Sequence, residues 1–374
     1  MPRFLHTADW QIGRQYSQFA VDDGVAIAEA RLGAVVTLAR LATENHVDAV
    51  FVAGDVFDTQ TVADKTILRL FNAMRGYTGP WILIPGNHDA ALAESVWTRA
   101  VRLNAVPANV RLSLVSEVIP YESAGFAVLT APLTQRHTYN DLTEWFDTAD
   151  TAPGLVRVGL GHGAVQGILA AEIDSANPIA PDRASTARLD YLGLGDWHGL
   201  KRVDARTWYS GTPEADRFRG NEPGYVLLVE VDGLGIEPRV TPLQTGRFEW
   251  SQWEHAVSVP SDADELIDRL ASVQDNHVLE LVVRGQADLE TLGRLNGALT
   301  SAEARARSLS ADLSALRLIP SDADISALQA DGYLGDVIST LRDLQSGADA
   351  AVATHALGIL TSLLADRQAS EVTA

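Results

Sequence analysis

Five short polar clusters in the first 200 residues combine glycine or tryptophan with side chains that can bind metal ions. They are Asp9-Trp10-Gln11, Gly54-Asp55-Val56-Phe57-Asp58, Gly86-Asn87-His88-Asp89, Gly161-His162-Gly163 and Gly195-Asp196-Trp197-His198. Hard divalent cations prefer oxygen and imidazole ligands, and two neighbouring cations need a carboxylate that can bridge them. Glycine next to a ligand lets the backbone approach the site closely. Any one cluster could be a helix cap or a turn, but five of them together predict a metal site.

Each cluster follows an apolar segment that predicts a β-strand. The predicted strands are residues 3–7, 49–53, 81–84, 127–131, 157–160, 191–194 and 225–231. Helices are predicted at residues 24–43 and 62–75, where apolar residues recur at roughly helical spacing. This alternation indicates a layered α/β domain. Because sites in open α/β sheets form beyond the carboxyl ends of the strands, we expect the clusters to converge.

The pattern changes near residue 245. Residues 246–330 read strand, helix, strand, helix, strand, which predicts a small α+β cap domain, and residues 331–374 predict a C-terminal helical segment. The expected organisation is therefore a domain over residues 1–245, a cap domain over residues 246–330 and C-terminal helices over residues 331–374.

Composition limits the classes of function. The chain of 374 residues is 46% hydrophobic and 21% charged, as expected for a globular protein. It has no cysteine, which excludes disulfides and thiolate ligands and fits a reducing cytoplasm. We expect no membrane span and a cytoplasmic location, since no apolar run approaches the roughly 20 residues that a span needs. The net charge of −20 requires a local basic patch or bound metal for any contact with nucleic acid.

Two of the clusters resemble those of a known family. Gly-Asp-Val-Phe-Asp at residues 54–58 and Pro-Gly-Asn-His-Asp at residues 85–89 are similar to the sequences of calcineurin-like metallophosphoesterases. The opening Phe-Leu-His-Thr-Ala-Asp-Trp at residues 4–10 resembles the SbcD-type DNA repair exonucleases, the bacterial counterparts of the eukaryotic meiotic-recombination nuclease. The resemblance covers roughly residues 1–245 and implies a layered β-sandwich flanked by helices. Beyond residue 245 only the architecture is similar.

The resemblance implies two divalent cations that share Asp55. The first cation would be bound by Asp9, Gln11, Asp55 and His198, and the second by Asp55, Asn87, His162 and Asp196. His88 would act as the proton donor or as a stabiliser of the transition state. Asp58 and Asp89 would orient a ligand or His88. Two cations roughly 3.5–4 Å apart can activate a bridging hydroxide for in-line attack on a phosphodiester.

Two positions depart from the family pattern. Gln11 stands where the first histidine is usual, and Asp196 replaces the first histidine of the usual Gly-His-x-His. The resulting ligand set is rich in oxygen, which predicts manganese, or else magnesium, rather than zinc. The same departures leave open a non-catalytic scaffold with a weakened metal site.

Basic residues near the clusters are candidates for contact with phosphate. Arg14 follows the first cluster, Lys201 and Arg202 follow the last one with Arg206 close behind, and Arg217 and Arg219 come after them. A solvated, charged hairpin explains the basic residues that follow His198 equally well.

The resemblance implies 3′–5′ exonuclease activity on duplex DNA, endonuclease activity on single strands, an SMC-like ATPase partner and a homodimer. The alternative substrates are a nucleotide, a cyclic nucleotide or a phosphoprotein, which the net charge of −20 favours.

Overall fold

A computed structural model of the protein covers residues 1–168, 176–218, 220–327 and 333–372. Arg219 lies outside the described residues. The chain divides into two compact units, Met1–Phe248 and Glu249–Ala374. The finer division into domains over residues 1–245, 246–330 and 331–374 stays a prediction.

The first unit contains strands β1 to β14 and helices α1 to α4. The strands are Arg3–Thr7, Ala49–Ala53, Trp81–Ile84, Val110–Leu112, Glu117–Tyr121, Phe126–Ala131, Val156–His162, Ala164–Val165, Pro178–Ile179, Tyr191–Gly195, Lys201–Arg202, Thr207–Tyr209, Tyr225–Glu230 and Arg239–Gln244. The helices are Val21–Glu44, Asp64–Ala73, Val96–Arg102 and Arg183–Thr186. All seven strands and both helices that the sequence predicts are present.

Two six-stranded sheets form the centre of this unit. One has the order β14-β13-β1-β2-β3-β4, and the other has the order β11-β12-β10-β7-β6-β5. Strands β1, β2 and β3 are parallel neighbours in the first sheet, and β7 and β10 are parallel neighbours in the second. Parallel strands place their carboxyl ends at one edge of a sheet, so the clusters that follow these strands gather there.

Alternating side chains explain the layers. Phe4 and Phe51 of the first sheet pack with Phe126 of the second, so that one face of each sheet is buried against the other. Their neighbours Leu5 and Val50 point the opposite way and pack against α1, α2 and α3. This period of two along each strand produces a β-sandwich flanked by helices. The predicted fold class is confirmed.

The second unit begins with alternating strands and helices. Its elements are β15 (Glu249–Val257), α5 (Pro260–Ala271), β16 (His277–Ala287), α6 (Leu289–Glu303), β17 (Ser308–Leu318), α7 (Asp322–Ala327), α8 (Tyr333–Leu344) and α9 (Ala350–Val372). The three strands form a parallel sheet in the order β15-β16-β17. In the part of the chain that the structure covers, no helix combines the length and the apolarity needed to cross a membrane.

Candidate metal centre

The five clusters all lie at the carboxyl ends of parallel strands. Asp9 and Gln11 follow β1, Asp55 follows β2, Asn87 follows β3, and His162 ends β7. Asp196 and His198 follow β10. The turns are held together across the edge of the sheet, since the amide of Asp9 donates a hydrogen bond to the carbonyl of Gly54 at 3.0 Å. The amide of Gln11 likewise donates to the carbonyl of Asp55 at 2.9 Å.

Backbone strain marks the same positions. Asp9, Gln11, Asp55 and Asp196 have φ values of 55°, 49°, 53° and 103°, in the left-handed region that glycine favours. Such a conformation costs a residue with a side chain about 1–3 kcal/mol. Strain at four of the predicted ligands is typical of a functional site, because only the surrounding structure keeps it in place.

Two glycines allow the turns to approach each other. A Cβ atom on Gly54 would lie 2.3 Å from Nδ1 of His162, and one on Gly86 would lie 2.3 Å from Oδ1 of Asp55. Neither distance leaves room for a side chain. These glycines are therefore required for Asp55 and His162 to meet.

Asp9, Asp55 and His162 form the centre of the site. Each side chain offers one ligand atom, and these three atoms all lie within 4.8 Å of one another. All three residues are buried. Nδ1 of His162 lies 2.8 Å from the carbonyl oxygen of Ala53, and because a carbonyl only accepts, Nδ1 carries the hydrogen. Nε2 of His162 is then the ring nitrogen that faces the carboxylates.

Three further predicted ligands surround this centre. Gln11 donates a hydrogen bond from Nε2 to Oδ2 of Asp55 at 2.7 Å. Oδ1 of Asn87 lies 3.2 Å from Nε2 of His162, and Oδ1 of Asp196 lies 3.8 Å from the same nitrogen. The amide of Asp196 also donates to the carboxylate of Asp9 at 3.1 Å. The structure therefore brings these side chains together at one edge of the sandwich.

Electrostatics in the site favour a bound cation. Burial raises the pKa of Asp9 to about 6, against the opposing charges of His198 and His162. Burial also raises the pKa of Asp196. Burial alone would lower the pKa of His162, but the charges of Asp55, Asp196 and Asp9 raise it to about 9. Three carboxylates crowded out of water need positive charge beside them, which divalent cations would supply.

His198, the last predicted ligand, is held by a neighbouring carboxylate. Its Nδ1 lies 3.0 Å from Oδ2 of Asp216. Nη2 of Arg217 lies 2.8 Å from the same Nδ1 and 3.2 Å from Nε2. In the tautomer whose Nδ1 hydrogen points to Asp216, Nε2 would keep the lone pair that a cation needs. His198 is not one of the three residues whose ligand atoms lie within 4.8 Å of one another, and it follows β10 two residues after Asp196.

The donor set fits divalent cations. Oε1 of Gln11 is buried and has no hydrogen-bond partner among the described residues, so an acceptor is left free beside Asp55. An orphaned buried acceptor among carboxylates and imidazoles is the arrangement that a cation satisfies.

His88, the predicted catalytic residue, lies beside the centre and is partly exposed. Its amide donates to Oδ1 of Asp55 at 2.9 Å. Nδ1 of His88 lies 2.8 Å from the carbonyl of Asp58 and carries the hydrogen of that bond, while Nε2 lies 3.9 Å from Oδ2 of Asp55. Nε2 is therefore the nitrogen that can reach a substrate.

Comparison with known proteins decides the family. Residues 2–229 match the family described as calcineurin-like phosphoesterase. The chain belongs to the calcineurin-like phosphoesterase family. It is accordingly a hydrolase of phosphate ester bonds, and the resemblance seen in its clusters is confirmed.

Curated relatives of this phosphoesterase include nucleases. It is 24% identical over 339 residues to the SbcD subunit of the SbcCD nuclease of Bacillus subtilis (strain 168), a match that covers 79% of this chain and 83% of the relative. It is 26% identical over 264 residues to the DNA double-strand break repair protein Mre11 of Methanosarcina acetivorans, covering 66% of this chain and 39% of the relative. A shorter match, 35% identical over 94 residues, is to the SbcD subunit of the SbcCD nuclease of Rhodobacter capsulatus, covering 24% of this chain and 22% of the relative.

Asp58 and Asp89, the predicted orienting residues, contact the turns around the site of the phosphoesterase. Asp58 contacts His88 through its backbone carbonyl, and its carboxylate instead lies 3.6 Å from Nη1 of Arg14. Asp89 accepts hydrogen bonds from the amides of Phe57 and Gly86 at 3.0 and 2.7 Å. Asp89 thus joins the turns after β2 and β3, and burial raises its pKa to about 7.

The three predicted phosphate-binding residues of the phosphoesterase differ from one another in their surroundings. Arg14 lies between Asp58 and Asp216, at 3.6 and 3.5 Å. Lys201 lies over the ring of Trp197, 5.4 Å from its centre. Arg202 is exposed and forms an ion pair with Glu237 at 2.8 Å. Of these three basic residues, Arg14 has the contacts that tie it to the candidate site.

Two residues of the phosphoesterase site were missed by sequence reasoning. Asp216 is buried, and although burial by itself raises its pKa, hydrogen bonds and charge from His198, with help from Arg31 and Arg217, hold that pKa well below its usual range. Its position shortly after the turn at Tyr209-Ser210-Gly211-Thr212-Pro213 was the available signal. Nothing in the sequence distinguishes Arg31 from Arg40, the other arginine of its helix.

Arg31 joins two loops of the phosphoesterase site from a buried position on α1. It donates hydrogen bonds to the carbonyls of Asp9 and Trp10 at 2.9 and 2.7 Å. It also donates to Oγ1 of Thr212 at 2.9 Å and to the carbonyl of Glu214 at 3.1 Å. Arg31 therefore holds the turn that carries Asp9 and Gln11 against the loop that carries Asp216.

Proposed function

We propose that this phosphoesterase is a two-metal phosphodiester hydrolase that cleaves DNA. The position of the Asp55 carboxylate supports the proposal most strongly. One of its oxygens contacts Gln11, and the other lies 3.6 Å from Nε2 of His162. Gln11 belongs to the first implied ligand set and His162 to the second, so this carboxylate lies where a bridging ligand is needed.

The proposed ligands are those that the resemblance implies. Asp9, Gln11, Asp55 and His198 would hold the first cation, and Asp55, Asn87, His162 and Asp196 the second. A bound pair of divalent cations supplies the Lewis-acid chemistry that activates water and neutralises the phosphoryl oxygens. Manganese is the proposed metal, with magnesium as the second choice, since most of these ligands bind through oxygen.

The protein itself contributes orientation and a proton. Nδ1 of His88 is fixed by the carbonyl of Asp58, which directs Nε2 towards the space beside Asp55. A protonated Nε2 would give its hydrogen to the leaving oxygen or stabilise the charge that develops there. Arg14, Lys201 and Arg202 are proposed to contact the substrate, and Arg14 has the strongest support.

DNA is the proposed substrate because the curated relatives are named as a nuclease subunit and as a DNA double-strand break repair protein. Exonuclease action in the 3′–5′ direction, a partner ATPase of the SMC type and a homodimer belong to the same proposal. A location in the cytoplasm is also proposed.

A direct assay can test this function. Purified protein with manganese is incubated with duplex oligonucleotides labelled at the 5′ or the 3′ end, and with bis-p-nitrophenyl phosphate as a generic phosphodiester. We expect the duplex oligonucleotides and the generic ester both to be cleaved. We also expect the duplex to be shortened from its 3′ end. Turnover of the generic ester with no cleavage of duplex or single-stranded DNA would contradict the proposed substrate.

A nucleotide, a cyclic nucleotide or a phosphoprotein is the second candidate substrate. The net charge of −20 favours it, because a long polyanion is repelled by an acidic protein more strongly than a small ester is. Isothermal titration with manganese distinguishes these two enzymatic functions from a third candidate, a non-catalytic scaffold with a weakened metal site. Binding of fewer than two ions per chain would favour the scaffold.

A further inference from the structure

Two arginines beside the candidate metal centre share one buried carboxylate. Nη1 of Arg14 lies 3.5 Å from Oδ2 of Asp216, and Nη2 of Arg217 lies 3.0 Å from the same oxygen. Nε of Arg217 also donates to Oδ1 of Asp216 at 3.1 Å. Both guanidinium groups are therefore close enough together for one anion to contact both.

Asp216 fixes this pair relative to the site. Its side chain is only 2% exposed. Its Oδ2 also lies 3.0 Å from Nδ1 of His198, which is a predicted ligand. Nη2 of Arg217 lies 3.2 Å from Nε2 of His198. The two arginines thus lie at the edge of the centre. The Asp216 carboxylate holds them there, because it cannot move into water without losing its contacts with both arginines and with His198.

The two guanidinium groups keep donors for a ligand. The side chains of Arg14 and Arg217 are 28% and 34% exposed. Within the described ranges, Nη1 of Arg217 has no hydrogen-bond partner, and the contacts of the Arg14 guanidinium with Asp58 and Asp216 are both longer than an ordinary hydrogen bond. Arginine forks match the oxygens of a phosphate group. The carboxylates of Asp58 and Asp216 balance the two positive charges, so the attraction for a phosphate would come from the donors that the guanidinium groups still have free.

We propose that Arg14 and Arg217 bind the phosphate next to the scissile one, so that the enzyme prefers polynucleotides to isolated phosphodiesters. This inference rests on the proposed function and names the substrate class of the same site. The seven predicted ligands would hold the cations, and the scissile phosphate would be bound beside them. The arginines are outside that set and are attached to Asp216, which is not a ligand, although Arg217 adjoins His198. The phosphate that we assign to them is the neighbouring one of the same strand.

The test compares a substrate that has neighbouring phosphates with one that lacks them. kcat/KM is measured with manganese for a short oligonucleotide and for bis-p-nitrophenyl phosphate, using the wild type, Arg14→Gln and Arg217→Gln. The ratio of the two values is expected to fall about 10-fold in each variant, as for a lost hydrogen bond to a charged group. Arg40→Gln is the matched control, because Arg40 is an exposed arginine paired with Glu44 on α1.

A second substrate locates the contact. The substrate is an oligonucleotide with a neutral methylphosphonate next to the cleaved bond. For the wild type, we expect kcat/KM on this substrate to be about 10-fold lower than on the unmodified oligonucleotide. For Arg217→Gln, we expect the difference between the two substrates to be much smaller. Equal losses on both substrates in the arginine variants would mean contact with the scissile phosphate and would overturn the inference. An unchanged ratio in the variants of an enzyme that cleaves DNA would also overturn it. A wild type inactive on both substrates would instead refute the proposed function on which it rests.

Discussion

Nε2 of Gln11 donates a 2.7 Å hydrogen bond to Oδ2 of Asp55, while Oε1 of the same amide is buried without a partner in the part of the chain that the structure describes. The amide therefore fixes one oxygen of the central carboxylate and offers its own oxygen to the site. This pair of contacts gives a physical role to the departure at Gln11.

Replacing that amide tests the preference for hard cations. Gln11→His introduces an imidazole, which binds transition metals more tightly than a neutral amide does. We expect the affinity for manganese to rise about 10-fold, with a smaller change for magnesium. Isothermal titration with each metal measures the difference. An equal gain in affinity for manganese and magnesium would show that Gln11 does not set the preference for hard cations.

Asp55 is predicted to be essential for both cations. Asp55→Ala removes the carboxylate whose two oxygens contact Gln11 and lie near His162, so we expect bound manganese to fall from two ions per chain to fewer than one. Elemental analysis after gel filtration measures the loss. The exposed Asp22→Ala on α1 is the matched control and should keep both ions. Two ions in Asp55→Ala would refute the bridging assignment.

His88 is predicted to act in turnover and not in metal binding. His88→Ala leaves all seven predicted ligands in place but removes the partly exposed Nε2 beside Asp55. We expect two bound ions and a kcat lowered by about 100-fold, in the range of general acid catalysis. The exposed His46→Ala serves as the control. A normal kcat in His88→Ala would remove His88 from the mechanism.

A buried histidine in β1 predicts a loss of stability in acid. Burial lowers the pKa of His6 from 6.5 to about 3. The unfolded chain binds a proton at His6 below pH 6.5 and the folded protein does not, so the free energy of unfolding falls as pH drops from 6.5 towards 3. The contribution is about 1.4 kcal/mol for each pH unit.

Urea unfolding at several pH values, in the presence of a chelator, measures that slope. His6→Asn keeps a polar partner for the hydroxyl of Tyr191, which lies 2.8 Å from Nδ1 of His6, but removes the titrating ring. We expect the slope of the variant to be smaller by the contribution of one histidine. The exposed His46→Asn is the matched control. The same slope in His6→Asn and the wild type would contradict the prediction.

Arg31 is predicted to be a main support of the site. Arg31→Met leaves the carbonyls of Asp9, Trp10 and Glu214 without their charged donor in a buried place. We expect the free energy of unfolding to fall by about 3 kcal/mol, as for the loss of several buried polar partners. Chemical denaturation measures the change, and Arg40→Met on the exposed face of α1 is the control. A loss no larger than that of the control would mean that the two loops hold together without Arg31.

The local pattern of the sequence was enough to locate the elements that carry the site. Strand bounds such as Arg3–Thr7 and Ala49–Ala53 follow from short apolar runs that end in polar turns. Such signals depend on neighbouring residues only, which is why they can be read without coordinates. The family resemblance depends on the same short segments.

Only the tertiary structure could reveal the partners of those residues. The pairings of Asp216 with His198 and of Arg31 with Thr212 join positions far apart in the chain, and no local period indicates them. The sequence could not say which atoms of Asp58 and Asp89 make contact for the same reason, since which atom of a residue meets a neighbour depends on how the turns pack. The sequence by itself determined which side chains reach the edge of the sandwich. The packing of the two sheets and of α1 decided which atoms face each other there, because those distances arise only when distant segments are buried together.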